Sequence, residues 1–310
     1  MILTVTLNPS VDITYELIGL QLGQSNRVPK SIKTAGGKGL NVTRVLQQMD
    51  TSVTATGIIG GTCGDFICQQ LDELGIKHAF YQSQAESRNN ITIVADGEQT
   101  EILEAGPNLV ADIEAFVQLY QRLLEGTSLV VISGSLPQGL DGESYIRLIR
   151  LAKEAGKPVF FDSSGGALLD VLQSNSPPTL IKPNEHELSE LLGRKINSQN
   201  LSELKKALDD PLFNGIEWLV VSLGSAGAVI KRGNNFFKVT VPKIDVVSAI
   251  GSGDSVIAGL AKGISKGLAD EEIIKLGMTF GVLNTLDSQP GHLKKAEFDW
   301  VFSQIKLVKI

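Results

Sequence analysis

Apolar positions recur at two different periods along the chain. Short, densely apolar runs at 2–7, 53–59, 129–133, 158–162, 179–182 and 218–222 read as buried strands. Between them the period lengthens. Val42, Val45, Leu46 and Met49 fall at helical spacing, and 65–74, 143–155 and 185–192 read as helices stopped by Gly75, Gly156 and Gly193. Three more helical segments follow near 255–266, 271–286 and 295–305. Strands alternating with glycine-stopped helices predict an α/β fold with a mainly parallel sheet covered on both faces.

Four short segments break this alternation. The stretches 14–18 and 27–33 are strand-like and precede the first helix, and 91–95 and 100–104 flank Asp96-Gly97, a strong hairpin signal. None has a helix of its own, so they predict a small sheet standing off the main body. Such a flap would close over a ligand, or pair with a second copy through its uncovered edges.

Composition narrows the function classes. The chain has 310 residues, 42% apolar, and a formal charge of −6 from 28 basic and 34 acidic side chains. No block of cations exists for a phosphate backbone to bind, so nucleic acid is not the expected partner. Two cysteines, Cys63 and Cys68, and three scattered histidines suit neither a disulfide framework nor a metal centre built on histidine. The opening residues lack a basic n-region, and Asp254 interrupts the most apolar stretch, 246–264. A cytoplasmic protein without a membrane segment is expected.

Two glycine clusters carry the chemistry, and neither is the Walker or the dinucleotide pattern. The first, 35–42, places Gly36, Gly37 and Gly39 around Lys38 and opens a helix after them. Backbone can approach a ligand closely there, with a helix N-terminus behind it. A plain strand–helix turn with a surface lysine would look the same. The second, 249–255, places Gly251, Ser252 and Gly253 before Asp254 at the start of another helix. Its amides suit a developing negative charge, and the helix dipole favours an ionised Asp254 able to accept a proton. A capping aspartate beside a glycine turn is the alternative.

Taken together and in this order, the clusters resemble the two signatures of the PfkB (ribokinase-like) family of sugar kinases. In the second, Ile250 and Ser252 stand where many members carry Thr and Ala. Four further stretches resemble the family in order: 8–12, 133–137, 182–187 with its N-x-x-E pattern, and 222–227. The resemblance spans the chain and points to the phosphosugar branch. It implies one kinase domain over 1–310, a three-layer α/β/α body with a β-sheet lid contributed by about 12–35 and 88–105. The substrates it implies are ATP and a phosphorylated ketohexose, with Mg²⁺, and it also implies a homodimer formed through the lid sheets.

Roles follow residue by residue from that resemblance. Asp254 would be the base, and the Gly251, Ser252, Gly253 and Asp254 amides would form the anion hole. Asp12, Gly36, Gly37, Asn41 and Gly134 would bind the sugar. Lys38, Arg88 and more weakly Arg27 would hold its phosphate, since a phosphosugar brings about −1.5 to −2 charge. Lys182, Asn184, Ser222, Gly224, Ser225, Gly227 and Asn284 would face the nucleotide. Glu187 and Asn184 would act on Mg²⁺ through water. A non-catalytic sugar-phosphate sensor on the same fold and an NAD(P)-dependent oxidoreductase are the competing classes. The sensor could dispense with Asp254, and the oxidoreductase lacks its glycine fingerprint.

Overall fold

A computed structural model describes residues 1–310. The first third runs β1 (Ile2–Thr6), β2 (Ser10–Glu16), β3 (Lys30–Gly36), α1 (Lys38–Gln48), β4 (Val53–Gly60), α2 (Gly61–Glu73), β5 (Lys77–His78), β6 (Tyr81–Ser83), β7 (Arg88–Ala95) and β8 (Glu98–Leu103). The middle runs α3 (Ile113–Leu124), β9 (Leu129–Ser133), α4 (Gly142–Glu154), β10 (Val159–Asp162), α5 (Gly165–Gln173), β11 (Leu180–Ile181), α6 (Glu185–Leu191) and α7 (Leu201–Leu208). It ends with β12 (Trp218–Ser222), β13 (Ala228–Arg232), β14 (Asn235–Thr240), α8 (Ser252–Ser265), α9 (Asp270–Thr285), α10 (Phe298–Gln304) and β15 (Lys306–Lys309).

The main sheet has the order β15-β14-β13-β12-β11-β10-β9-β1-β4-β5, with β6 also paired to β4. From β5 to β12 every pairing is parallel, and the β13–β14–β15 edge is antiparallel. Along β9, Leu129 and Val131 pack into one apolar core while Val130 and Ile132 pack into the other. The first core lies against α8, α9 and α10, and the second against α3, α4 and α5. Period-two alternation with both faces buried is what makes the three layers.

The lid is a separate sheet of order β3-β2-β7-β8. Val11, Ile13 and Ala35 seat its root on Leu40, Ile59, Ile67 and Leu71. Its hairpin turns at Asp96 and Gly97, both left-handed with φ of 53° and 78°, as the sequence pair requires. Two expectations shift here. Strand β3 starts at Lys30, so Arg27 lies in the exposed loop before it. Strand β2 starts at Ser10, four residues earlier than the apolar pattern indicates, because it continues almost directly from β1. Both cysteines are free thiols. No helix is long and apolar enough to cross a membrane.

Candidate active site

The chemistry-bearing residues gather at the carboxyl ends of the parallel strands, where an open α/β sheet leaves its crevice. Helices α1 and α8 both point their N-termini into this region, so two sets of unpaired amides and two positive dipole ends meet there. Asp254 sits in the first turn of α8 and is only 6% exposed. Its Oδ2 accepts a 2.7 Å hydrogen bond from Asn41 Nδ2 of α1. The turn before it depends on glycine. Gly251 is left-handed at φ 80°, and a Cβ there would lie 2.9 Å from the Gly291 nitrogen. The Ser252 N–H is turned back onto Ala249 O at 3.3 Å, which leaves Gly253 and Asp254 as the freer donors of this turn.

The dipole does not dominate the charge on Asp254. Burial, and then the neighbouring Asp162 carboxylate, push its pKa up to about 6; Lys38, the Asn41 hydrogen bond and Lys182 pull the other way. A carboxyl that titrates this close to neutrality is ionised at pH 7 yet easily protonated, which suits a base. Asp162 ends β10 and is buried. Lys38 Nζ stands 3.6 Å from its Oδ1. Asp162 above all holds the Lys38 ammonium in its charged form, and Asp254 and Glu187 add to this against the cost of burial. Lys38 therefore belongs beside Asp162 and Asp254. The sequence reading set it at the distant end of the substrate, because it could not show that α1 and α8 begin side by side.

The other end of the crevice is built by the lid. Register places Ser10 opposite Arg88 and Asp12 opposite Asn90. Asp12 Oδ1 accepts from Ser10 Oγ at 2.7 Å and from Asn90 Nδ2 at 3.1 Å. Arg88 Nε donates to Asn8 O, and its Nη1 donates to Asn90 Oδ1 and Glu104 O. Its Nη2 has no partner in the protein. Gly36 lies against this group. A Cβ there would fall 2.1 Å from the Asp12 carboxylate, so only glycine leaves Asp12 in place.

On the opposite side, β11 and β12 bring Lys182, Asn184, Ser222 and Gly224 together. Lys182 Nζ lies over the α8 turn, 2.9 Å from where a Gly253 Cβ would be. Asn184 and Ser222 are bridged, and Gly224, Ser225 and Ala226 form one helical turn closed by Gly227. An open groove of about 810 Å³ runs past Asn184, His186, Glu190, Ser222 and Gly224.

A family model for pfkB family carbohydrate kinase matches residues 5–296. The chain belongs to this family. Tagatose-6-phosphate kinase of Staphylococcus epidermidis is 48% identical over 311 residues, covering 100% of this chain and 100% of that one. Phosphofructokinase-2 from Escherichia coli in complex with potassium superposes with a TM-score of 0.88 at 27% identity, covering 97% of this chain and 98% of that one. The same enzyme in complex with fructose-6-phosphate gives 0.86 at 27% identity over the same shares.

As a pfkB carbohydrate kinase the chain takes ATP as phosphoryl donor, and a divalent metal typically accompanies such a donor. No three His, Cys, Asp or Glu side chains gather as a cage for a metal ion. What the site offers is hard oxygen. Glu187 and Asn184 cap α6 reciprocally, with Glu187 Oε2 accepting from Asn184 N at 2.8 Å and Asn184 Oδ1 from Glu187 N at 2.9 Å. Glu187 Oε1 is left without a partner. One or two carboxylate oxygens with water fit a hydrated ion carried by a nucleotide.

Several anticipated residues lie apart from this gathering or are already engaged. Arg27 is exposed on its loop. Asn284 is fully buried in α9, and its Nδ2 holds His292 O at 2.9 Å and Gln289 O at 3.4 Å. It shapes the segment behind α8 rather than lining the open groove. Asn41 holds Asp254, so its amide nitrogen is not free for sugar. Gly134 donates its N–H to Asp162 O at 3.0 Å. Asp162 and Arg44 escape a sequence reading. The one signal for Asp162 is a charge at the end of a buried strand; Arg44, on the side of α1 away from Val42, Val45 and Leu46, gives none.

Proposed function

We propose that this chain transfers the γ-phosphoryl group of ATP to the C1 hydroxyl of D-tagatose 6-phosphate, giving D-tagatose 1,6-bisphosphate and ADP. The observation that carries this reading is Asp254: a buried carboxyl at a helix N-terminus, between a cation-lined nucleotide side and a lid with a free guanidinium edge. The 48% identical relative named for that substrate supports the choice of ketose.

Asp254 takes the hydroxyl proton as the sugar oxygen forms its bond to the γ-phosphorus and the bond to the β-phosphate oxygen breaks. The Gly253 and Asp254 amides and Lys38 meet the negative charge spread over the phosphoryl oxygens. Asp12 accepts from sugar hydroxyls and orients the attack. Arg88 pairs with the distant phosphate, for which its fork is suited. Lys182, Asn184, Ser222 and the Gly224–Gly227 turn receive the nucleotide. Mg²⁺, held through water by Glu187 and Asn184, would supply further charge neutralisation.

The reading covers the remaining expectations: one kinase domain with its lid, working in the cytoplasm as a homodimer. Ile32, Ile102 and Leu103 are 37%, 52% and 60% exposed on the lid, an apolar surface suited to a second copy. Light scattering at micromolar concentration should give twice the chain mass. The deciding experiment is initial-rate kinetics on tagatose 6-phosphate, fructose 1-phosphate and fructose 6-phosphate. A higher kcat/KM for fructose 1-phosphate would make the enzyme a 1-phosphofructokinase, and binding without ADP release would make it a sensor.

A further inference from the structure

Arg44 is half-buried on α1, one turn beyond Asn41, and it ties its own helix to two other segments. It donates to Ala35 O at the root of the lid, to Asn41 Oδ1, and to Pro290 O at 3.3 Å in the segment after α9. Burial works against its charge, and the Asp12 and Asp254 carboxylates favour it. The other groups facing Asp254 are Asp162 from β10, Lys38 and Asn41 from α1, and Lys182 from the end of β11.

An asparagine amide can turn over and exchange its oxygen and nitrogen with little change of shape. A guanidinium has donors only, so just one of the two orientations satisfies it. With Oδ1 held by Arg44, Nδ2 must face away from it, and it meets Asp254 Oδ2 at 2.7 Å. In the other orientation an amide oxygen would face the carboxylate. We propose that Arg44 is a positioning residue for phosphoryl transfer, locking the Asn41 amide so that it donates to Asp254, and tying that pair to the lid root. This rests on Asp254 being the base.

The test compares wild type, Arg44→Met, Arg44→Lys, Asn41→Ala and the Arg44→Met/Asn41→Ala double variant. Arg44→Met should lower kcat by about tenfold or more, with KM for ATP and for sugar phosphate within about threefold. Losing a donor to the carboxylate should move the acid limb of kcat/KM to higher pH. The substrate phosphates titrate near pH 6 in every variant alike, so the difference between variants is the reading. The double variant should be no slower than the slower single one, because Arg44 acts through Asn41. Additive losses, an unmoved acid limb, or a change confined to KM would overturn the proposal. Arg44→Lys, whose ammonium also has donors only, should hold the amide and keep the wild-type acid limb. If Arg44→Met fails to melt cooperatively, Arg44→Gln, which can offer Asn41 either a donor or an acceptor, carries the comparison instead. Asp254→Asn turning over like wild type would instead remove the base. An inactive Asp254→Asn with additive Arg44 and Asn41 effects would sink the positioning role alone.

Discussion

Asparagine at position 254 should abolish most turnover and, at the same time, make the protein more stable. The side chain is nearly isosteric, can still accept from Asn41, and resembles the protonated acid. Asp254 is buried, and its carboxyl titrates at about 6 instead of the ordinary 3.8. Ionising it in the fold is therefore harder than in the unfolded chain. At ~1.4 kcal/mol for each pH unit, that difference costs the native state about 3 kcal/mol at pH 7. The cost falls to about half at pH 5, where the folded carboxyl is mostly protonated, and vanishes below the unfolded value. With an unfolding entropy of ~2.1 cal/mol/K per residue, Asp254→Asn should melt roughly 5 °C higher at pH 7. Denaturant unfolding at pH 7 and pH 5 measures the gain, and steady-state kinetics should give kcat lower by roughly 10²–10⁴ with a modest change in KM. A variant no more stable than wild type at pH 7, or a gain that does not fall at pH 5, would refute the account of this carboxyl's surroundings. Equal turnover would refute its role as base.

Arg88→Ala should raise the KM for sugar phosphate by roughly ten- to a hundredfold, the cost of about 1.5–3 kcal/mol for a charge-assisted hydrogen bond, with ATP's KM unchanged. A rise in ATP's KM instead would place Arg88 on the wrong side of the crevice. Glu187→Gln keeps an oxygen for the Asn184 N–H, so α6 should melt as in wild type while the Mg²⁺ concentration for half-maximal rate increases. An unchanged Mg²⁺ titration would leave the N-x-x-E pattern as a helix cap only. Gly36→Ala should weaken sugar-phosphate binding, because its Cβ would fall 2.1 Å from the Asp12 carboxylate. Wild-type kinetics in that variant would remove Asp12 from the sugar site.

Much of the body is legible because buried strands and glycine-stopped helices leave strong local marks. The runs 129–133 and 218–222 coincide with β9 and β12, and Asp96-Gly97 marks its hairpin. Helix α3 is assigned nothing by the alternation, although Phe116, Val117, Tyr120 and Leu124 line a buried face at helical spacing. Strand β5 has only two residues, too few for any period to register, whereas β11, equally short, falls inside the apolar run at 179–182. The active-site departures have another origin. Asn41 and Asp254 are 213 positions apart, and nothing local to either says that one holds the other. Lys38 and Asp162 are related in the same way. Pairings of this kind come from how α1 and α8 pack, so the sequence supplies the residue types but not their partners.

A chain of net charge −6 has to draw in two anionic substrates, and their approach is repelled at long range. The fold answers locally. Lys38 and Lys182 stand beside Asp254, Arg88 lies on the lid with its Nη2 free, and two helix N-termini point into the same crevice. The same cations serve Asp254. Lys38, Lys182 and the Asn41 donor all favour its ionised form, against burial and Asp162. A bound triphosphate would engage those lysines and oppose that charge, which raises the carboxyl's affinity for a proton at the moment a hydroxyl proton is to be taken. Asp162 therefore has a reason to be where it is. By pushing the Asp254 carboxyl upward and holding Lys38 charged, it would let one electrostatic arrangement serve both phosphate binding and proton transfer in the proposed reaction.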